Sequence, residues 1–441
     1  MTPDPVLWGR ETTRAIENFP ISGRPMPMPV IRWLAIVKRS AASVNADLEL
    51  LDDEIARAVE SAADEFIAGR HDDQFPVDVF QTGSGTSTNM NVNEVISSLT
   101  GGRAHPNDHV NLGQSSNDVV PTAAQLAAVD EIERRLLPAA ARLVDSFRRR
   151  ADDFDDVVKP GRTHLMDAVP VVLGHEFAAY AAQLEECVER VAGSLPALGR
   201  VPLGGTAVGN GINSHPQFAD RVLQQISDAG LLRTTIASPG DRIARQGAHD
   251  AMVGTSGALE VLAVALTKIC NDLRWMASGP DTGLAEIEIP ALQKGSSIMP
   301  GKVNPVVPEA VLQVAARVIG NHATMAVGGM QGNFELNLMI PLMAATLLES
   351  IELLSTSMTV LAERCVDGIE ADRERCRDLA ERTLAIATAL NAELGYERVE
   401  HIVKEAHASD RSVREVARES GVSDDVLDRV LDLDRIARGD R

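Results

Sequence analysis

The chain has 441 residues, with 63 acidic against 42 basic side chains and a formal charge of -21. This excess of carboxylates argues against a nucleic-acid partner, and an anionic substrate has to be met by a few local cations. Aromatic residues make up only 3%, which leaves base-stacking platforms and membrane-interface belts without material. No uninterrupted apolar run approaches the roughly 20 residues of a membrane span, so no membrane partner is expected. The opening MTPDPVLWGRETTR lacks the basic start and apolar core of a signal peptide. Cys187, Cys270, Cys365 and Cys376 show no C-x-x-C spacing and read as small core residues of a cytoplasmic protein.

Up to residue 114, short helical stretches alternate with loops, and we read 1–114 as a first, mainly helical domain. Leu50 to Ala68 carries Leu51, Ile55, Val59, Ala62 and Phe66 at helical spacing, and Asp72 to Pro76 breaks it. Gln81 to Glu94 reads Q-T-G-S-G-T-S-T-N-M-N-V-N-E. Hydroxyls and amides around two glycines can wrap an anion with neutral donors while capping a helix from Met90 onward. No G-K-[ST] follows and no third glycine completes a dinucleotide fingerprint, so a nucleotide loop is set aside. His105 and His109 in H-P-N-D-H stand four apart, a metal-ligand spacing on a helix, but Pro106 disturbs the shared face and no third ligand lies nearby. No metal is expected.

From Gln114 the pattern lengthens. Gln114 to Asp118 (Q-S-S-N-D) supplies capping residues, and Pro121 is expected in the first turn, where its missing N–H costs little, of a helix that keeps apolar spacing to Arg150, with a kink at Pro138. Its start points free N–H groups and the donors of Ser115, Ser116 and Asn117 at one place, an anion site in the ordinary sense. Further helices are predicted over Val172 to Leu195, Arg242 to Met276, Val307 to Met325 and Asn333 to Ile369, the last interrupted at Pro341. Strand alternation is almost absent. Five such helices define a long bundle over 115–369, and their apolar character on more than one face implies burial against other subunits. Shorter amphipathic helices (Asp372 to Leu390, Glu397 to Ala408, Ser412 to Glu419, Asp424 to Leu431) make a small carboxy-terminal domain over 370–441. The predicted fold class is all-α.

Between the helices lies Gly295 to Pro305, G-S-S-I-M-P-G-K-V-N-P. Two glycines and two prolines make it a shaped loop, and Lys302 and Asn304 can offer a charge and an amide to one anion. The other polar islands are Ser84 and Thr86, the Ser115-Ser116-Asn117 group, Arg162-Thr163-His164 in G-R-T-H-L, and Glu309 after the loop. A histidine beside a threonine, with a carboxylate elsewhere in the bundle, offers a base with an orienting partner. Together these residue types suit one task, holding a small dicarboxylate with hydroxyls, amides and one lysine.

These motifs resemble those of class II fumarases, in the fumarase and aspartase superfamily of lyases, from about Leu7 to Tyr396. The loop G-S-S-I-M-P-G-K-V-N-P carries the superfamily. T-G-S-G-T at Thr82 to Thr86, Q-S-S-N-D at Gln114 to Asp118 and G-N-F-E-L-N at Gly332 to Asn337 favour fumarase. The resemblance implies reversible hydration of fumarate to (S)-malate. Ser296 would be the base, an alkoxide whose acidity is raised by loop N–H groups and Lys302. Lys302, Asn304, Ser115, Ser116 and Asn117 would stabilise the aci-carboxylate formed on proton removal. His164, paired with Glu309, would handle the water, and Ser84, Thr86, Thr163 and Ser297 would fix the carboxylates. It also implies a homotetramer with a 20-helix core, sites built from three chains, and no cofactor. A second, non-catalytic anion site would use Arg103, His105, Asn107 and Asp108, although Arg103 stands two before His105 where the family pattern has three. Gln293 and V-V-P-E at Val306 to Glu309 are shared with aspartases and keep an aspartate ammonia-lyase as the alternative; an idle helical assembly protein is a third reading.

Overall fold

Runs rich in alanine, leucine and valine at helical spacing make most of this chain helix, with Gly, Ser and Pro in the joints. The structure, a computed structural model, describes residues 6–439. The first helices are α1 (Arg10–Asn18), α2 (Met28–Asp47), α3 (Asp53–Ile67) and α4 (Thr86–Leu99). α5 (Ser116–Glu131) passes through a π-helical turn over Ile132–Leu136 into α6 (Leu137–Asp153). Pro138 lacks the N–H that an α-helix would send back four residues, and the turn before it opens accordingly. After a hairpin of β1 (Val158–Thr163) and β2 (Met166–Val172) come α7 (Leu173–Leu198), α8 (Phe218–Asp228), α9 (Arg242–Gly247), α10 (Asp250–Met276), α11 (Val306–Gly329) and α12 (Ile340–Arg364). Six short helices close the chain: α13 (Arg373–Arg382), α14 (Asn391–Leu394), α15 (Tyr396–Ser409), α16 (Val413–Glu419), α17 (Asp424–Val430) and α18 (Leu433–Arg438). The all-α class and the five long helical segments agree with expectation.

The chain divides into two compact units, residues 1–139, 187–264 and 314–356 in one and residues 140–186, 265–313 and 357–441 in the other. In the first, α2 packs on α3 and α5 around the buried Trp33, Leu34 and Phe66, and Phe75 meets Phe66 edge-on at 5.4 Å. In the second, Phe147, Phe154, Phe177 and Tyr180 stack in tilted and edge-on pairs 5.2–5.9 Å apart. A further apolar cluster there gathers Ala380, Leu390, Ile402, Ala417 and Leu427 from the terminal helices. The four cysteines are buried thiols.

Four expectations are corrected. The segment read as almost free of strands holds the antiparallel β1–β2 hairpin, with a register shift between Pro160 and Arg162. The helix expected over Arg242 to Met276 breaks at Ala248, whose backbone is extended. A Cβ on Gly332 would sit 1.9 Å from the Gly247 carbonyl oxygen, so two glycine backbones meet at this break; the contact, not local propensity, ends α9. The last long helix starts at Ile340 and not Asn333, because Gly332–Asn333 and Leu336–Asn337 pair as a small hairpin. The helix expected to reach Leu390 stops at Arg382, where Thr383 caps a 3-10 turn over Leu384–Leu390.

Two helical stretches, Asp250–Met276 and Ile340–Gly368, reach membrane-span length, with mean hydropathy of 1.4 and 1.2. About half of each apolar window is buried inside the chain (50% and 56%), as core helices of a bundle are. Their remaining apolar face carries exposed Val261, Val264 and Val360, and α11 adds Ile319 and Val327.

Candidate active site

In the first unit the T-G-S-G-T loop is held from behind by backbone. Ile340 N–H donates to the Gly83 carbonyl at 3.1 Å, and a Cβ on Gly83 would lie 2.3 Å from the Leu338 carbonyl oxygen. Gly85 turns left-handed (φ 74) to start α4. This places Ser84 Oγ 2.9 Å from Thr86 Oγ1, and Thr86 Oγ1 2.8 Å from Ser116 Oγ. Three predicted site residues from two motifs thus form one hydroxyl chain. Ser115 caps α5, accepting from Asn117 N–H at 3.2 Å, while the Asp118 carboxylate accepts from Ser115 N–H at 2.8 Å, a complete capping box. The Asn117 amide donates to the Ala207 carbonyl at 2.8 Å. The hydroxyls and the N-terminus of α5 therefore share one patch, where the helix dipole favours negative charge.

A buried polar layer lies under that patch. Asp118 Oδ2 accepts from Gly204 N–H at 3.0 Å and Thr206 N–H at 2.9 Å. Lys38, fully buried on α2, donates to Asn111 Oδ1 at 3.3 Å and Gln114 Oε1 at 3.2 Å. The same Asn111 oxygen accepts from Asn89 and Asn93 at 3.1 and 3.3 Å. Burial pushes the Asp118 carboxyl up to about 6 against the pull of its three N–H donors and Lys38, and it pushes the Lys38 ammonium down to about 7. Of this layer sequence reasoning saw Asp118 and Gln114 as capping residues and Asn89 and Asn93 within the Gln81 to Glu94 run of anion-wrapping amides; Lys38 and Asn111 were not singled out. Lys38 had a weak readable signal, a cation directly after the apolar run Trp33-Leu34-Ala35-Ile36-Val37.

Gln246 of α9 donates to the Thr206 carbonyl at 2.9 Å, and His249 beyond it is buried, with neither ring nitrogen hydrogen-bonded. Desolvation drives the His249 imidazolium down to about 4, with Arg245 adding repulsion. A folded-state value below the usual 6.5 means that the unfolded chain binds the extra proton. Stability from this group is whole above pH 6.5 and is lost as pH falls toward 4, about 3 kcal/mol in all. Urea titrations at pH 7 and pH 4.5 are expected to show this acid loss in the parent and a flatter dependence in His249→Gln.

In the second unit, Thr163 pairs with Met166 across the β1–β2 hairpin, leaving His164 and Leu165 as its two-residue turn. Both have left-handed backbones, φ 57 and 59, as the mirror-image type I′ turn requires. For residues other than glycine this costs about 1–2 kcal/mol each, so the catalytic candidate sits on a strained, exposed tip. Strand β1 is anchored through charge: Arg162 and Lys159 both pair with the fully buried Glu286, at 2.8 and 3.4 Å, and Lys159 also with Glu176 at 3.1 Å. Arg162, grouped with the polar islands, thus serves the hairpin.

The G-S-S-I-M-P-G-K-V-N-P loop closes on itself. Gly295 N–H donates to the Lys302 carbonyl at 2.8 Å, and the Asn304 amide donates to the Gly295 carbonyl at 2.8 Å. Inside it, Ser296 Oγ accepts from Ile298 N–H at 3.2 Å and Met299 N–H at 3.1 Å. Ser297 and Lys302 are exposed, and Glu309 lies in the first turn of α11. Among the described residues, no hydrogen bond joins His164 to Glu309 within one chain. The residues expected for a second anion site lie on an exposed turn of the first unit. There Arg103 donates to the Thr100 carbonyl at 2.9 Å, His105 Nδ1 accepts from Asp108 N–H at 3.1 Å, and Asn107 is exposed.

An all-helical chain with these loops has the build of a lyase. It matches the family described as "Lyase" over residues 1–320 and that described as "Fumarase C C-terminus" over residues 386–438. A fumarate hydratase class II of Mycobacterium tuberculosis is 51% identical over 437 residues, 98% of this chain and 92% of the relative. One from Xylella fastidiosa is 49% identical over 442 residues, 99% and 93% of the two chains. The structure of a recombinant class II fumarase from Schistosoma mansoni matches with a TM-score of 0.96 at 35% identity, covering 100% of this chain and 97% of that one. The chain belongs to the class II fumarate hydratase family of lyases.

Proposed function

We propose that this enzyme reversibly hydrates fumarate to (S)-malate, with Ser296 as the base. The observation that carries the reading is the pair of backbone N–H groups, from Ile298 and Met299, converging on Ser296 Oγ. Fixed N–H dipoles of that kind stabilise an oxyanion, here the alkoxide of the serine itself, and the exposed Lys302 ammonium adds positive charge to the same short loop. In the malate-to-fumarate direction the alkoxide takes a proton from the carbon beside one carboxylate. The electron pair moves into that carboxylate and makes it a doubly charged aci-carboxylate. Lys302, Asn304, Ser115, Ser116 and Asn117 receive this charge, while Ser84, Thr86, Thr163 and Ser297 hold the carboxylate oxygens. The electron pair returns to form the double bond as hydroxide leaves the other carbon, protonated through His164 to water.

Glu309 orients His164. That pairing is placed across protomers, in a homotetramer whose sites draw on three chains. The exposed valines and isoleucines on α10, α11 and α12 suit burial in a shared 20-helix core between smaller domains at 1–114 and 370–441. The protein is proposed to work in the cytoplasm on a small dicarboxylate. Purified protein is expected to raise the ultraviolet absorbance of fumarate when given malate, and to release far less ammonia from aspartate. A folded tetramer that turns over aspartate and not malate would reverse the assignment, in line with Gln293.

A further inference from the structure

The structure assigns Asp118 as a positioning residue that binds the anion-donor turn Ser115-Ser116-Asn117 and the loop 204–207 into one rigid receptor for a substrate carboxylate. The inference rests on the proposed dicarboxylate chemistry but concerns a side chain that does not meet the substrate. One carboxylate oxygen holds Ser115 N–H at 2.8 Å, and the other holds Gly204 and Thr206 N–H at 3.0 and 2.9 Å. The turn and the loop are thus fastened through a single fully buried group. A second link runs in parallel, from the Asn117 amide to the Ala207 carbonyl at 2.8 Å, so the orientation of a donor side chain depends on where the loop stands. Gln246 buttresses the loop from its far side through the Thr206 carbonyl at 2.9 Å.

Three charge-assisted bonds to one carboxylate are stiff and directional. Lys38 on α2 grips Gln114, the residue just before the turn, at 3.2 Å, and its charge favours the ionised form of Asp118. A buried carboxylate with a buried ammonium costs more to desolvate than an apolar pair of the same volume would. Asp118 bonded to the turn and Lys38 bonded to the residue before it together hold the anion donors at fixed spacing. Neutralising Asp118 without changing its shape should therefore loosen ligand binding.

The test is Asp118→Asn in the full-length assembly. The amide keeps one acceptor and turns an NH2 toward an N–H that the other oxygen had served, so it separates turn from loop. The expected result is a KM for malate raised about tenfold to a hundredfold. The inhibition constant of succinate, a dicarboxylate that cannot react, should rise in parallel, with secondary structure and assembly retained. A lowered melting temperature with parental KM and succinate inhibition would overturn the inference and leave Asp118 a structural residue. Should Asp118→Asn fail to fold, Lys38→Met read by the same two constants decides instead: a rise in both supports the clamp, and parental values refute it. Turnover by the parent enzyme separately tests the underlying reaction, so the two failures are distinguishable.

Discussion

Ser296→Ala is expected to lower kcat for malate by about a thousandfold, the scale of a lost general base, with KM changed little. The side chain is half-buried, and after the substitution the loop stays closed by its own bonds from Gly295 to Lys302 and Asn304. What disappears is the oxygen on which the Ile298 and Met299 N–H groups converge. Because an anionic oxygen there exists only in the working cycle, its loss falls on the transition state and spares the folded protein. Fumarate absorbance followed from malate gives kcat, and a melting curve gives stability. Turnover within tenfold of the parent would remove Ser296 from the role of base and return the search to the hairpin tip at His164.

Gly83→Ala is expected to destabilise the protein by about 3 kcal/mol, at the upper end for overpacking, and to raise KM as well. Its Cβ would stand 2.3 Å from the Leu338 carbonyl oxygen and 2.8 Å from its carbon. The obstacle is main chain, already joined to Gly83 through the bond from Ile340 N–H. Relief therefore requires the T-G-S-G-T loop to move, and with it Ser84, whose hydroxyl begins the chain through Thr86 to Ser116. Gly193→Ala in α7 is the control, since its new methyl meets nothing within 4 Å and a helical alanine stabilises by about 1 kcal/mol. Urea denaturation of the three proteins ranks them, and equal stability of parent and Gly83→Ala would show that the 338–340 segment yields freely.

The way these two sites could be read in advance differs. The Ser296 loop is a local object: its glycines, prolines and polar residues are consecutive, and the bonds that close it span nine residues or fewer. The tightness at Gly83 depends on Leu338, more than two hundred positions away, and nothing in T-G-S-G-T announces that neighbour. The hairpin carrying His164 was missed for a related reason. Two-residue turns with left-handed backbones are normally signalled by Asn-Gly or Gly-Gly, and here His-Leu occupies them. Ion pairs from Arg162 and Lys159 to the buried Glu286 tie β1 to the chain beyond the hairpin, so tertiary packing overrides what local preference would choose.

By itself the sequence determined the all-helical class, the five long helical segments, the shaped serine loop and the residue types of an anion site. Each of these follows from periodicity or composition over adjacent residues, where local sterics and hydrogen bonding act. Only the tertiary structure decided that Ser84, Thr86 and Ser116 share one hydroxyl chain and that Asp118 reaches Gly204 and Thr206. It alone also breaks the helix between Arg242 and Met276 where Gly247 meets Gly332. Those outcomes depend on which distant backbones can approach within hydrogen-bond or van der Waals distance, a condition set by packing of the whole core.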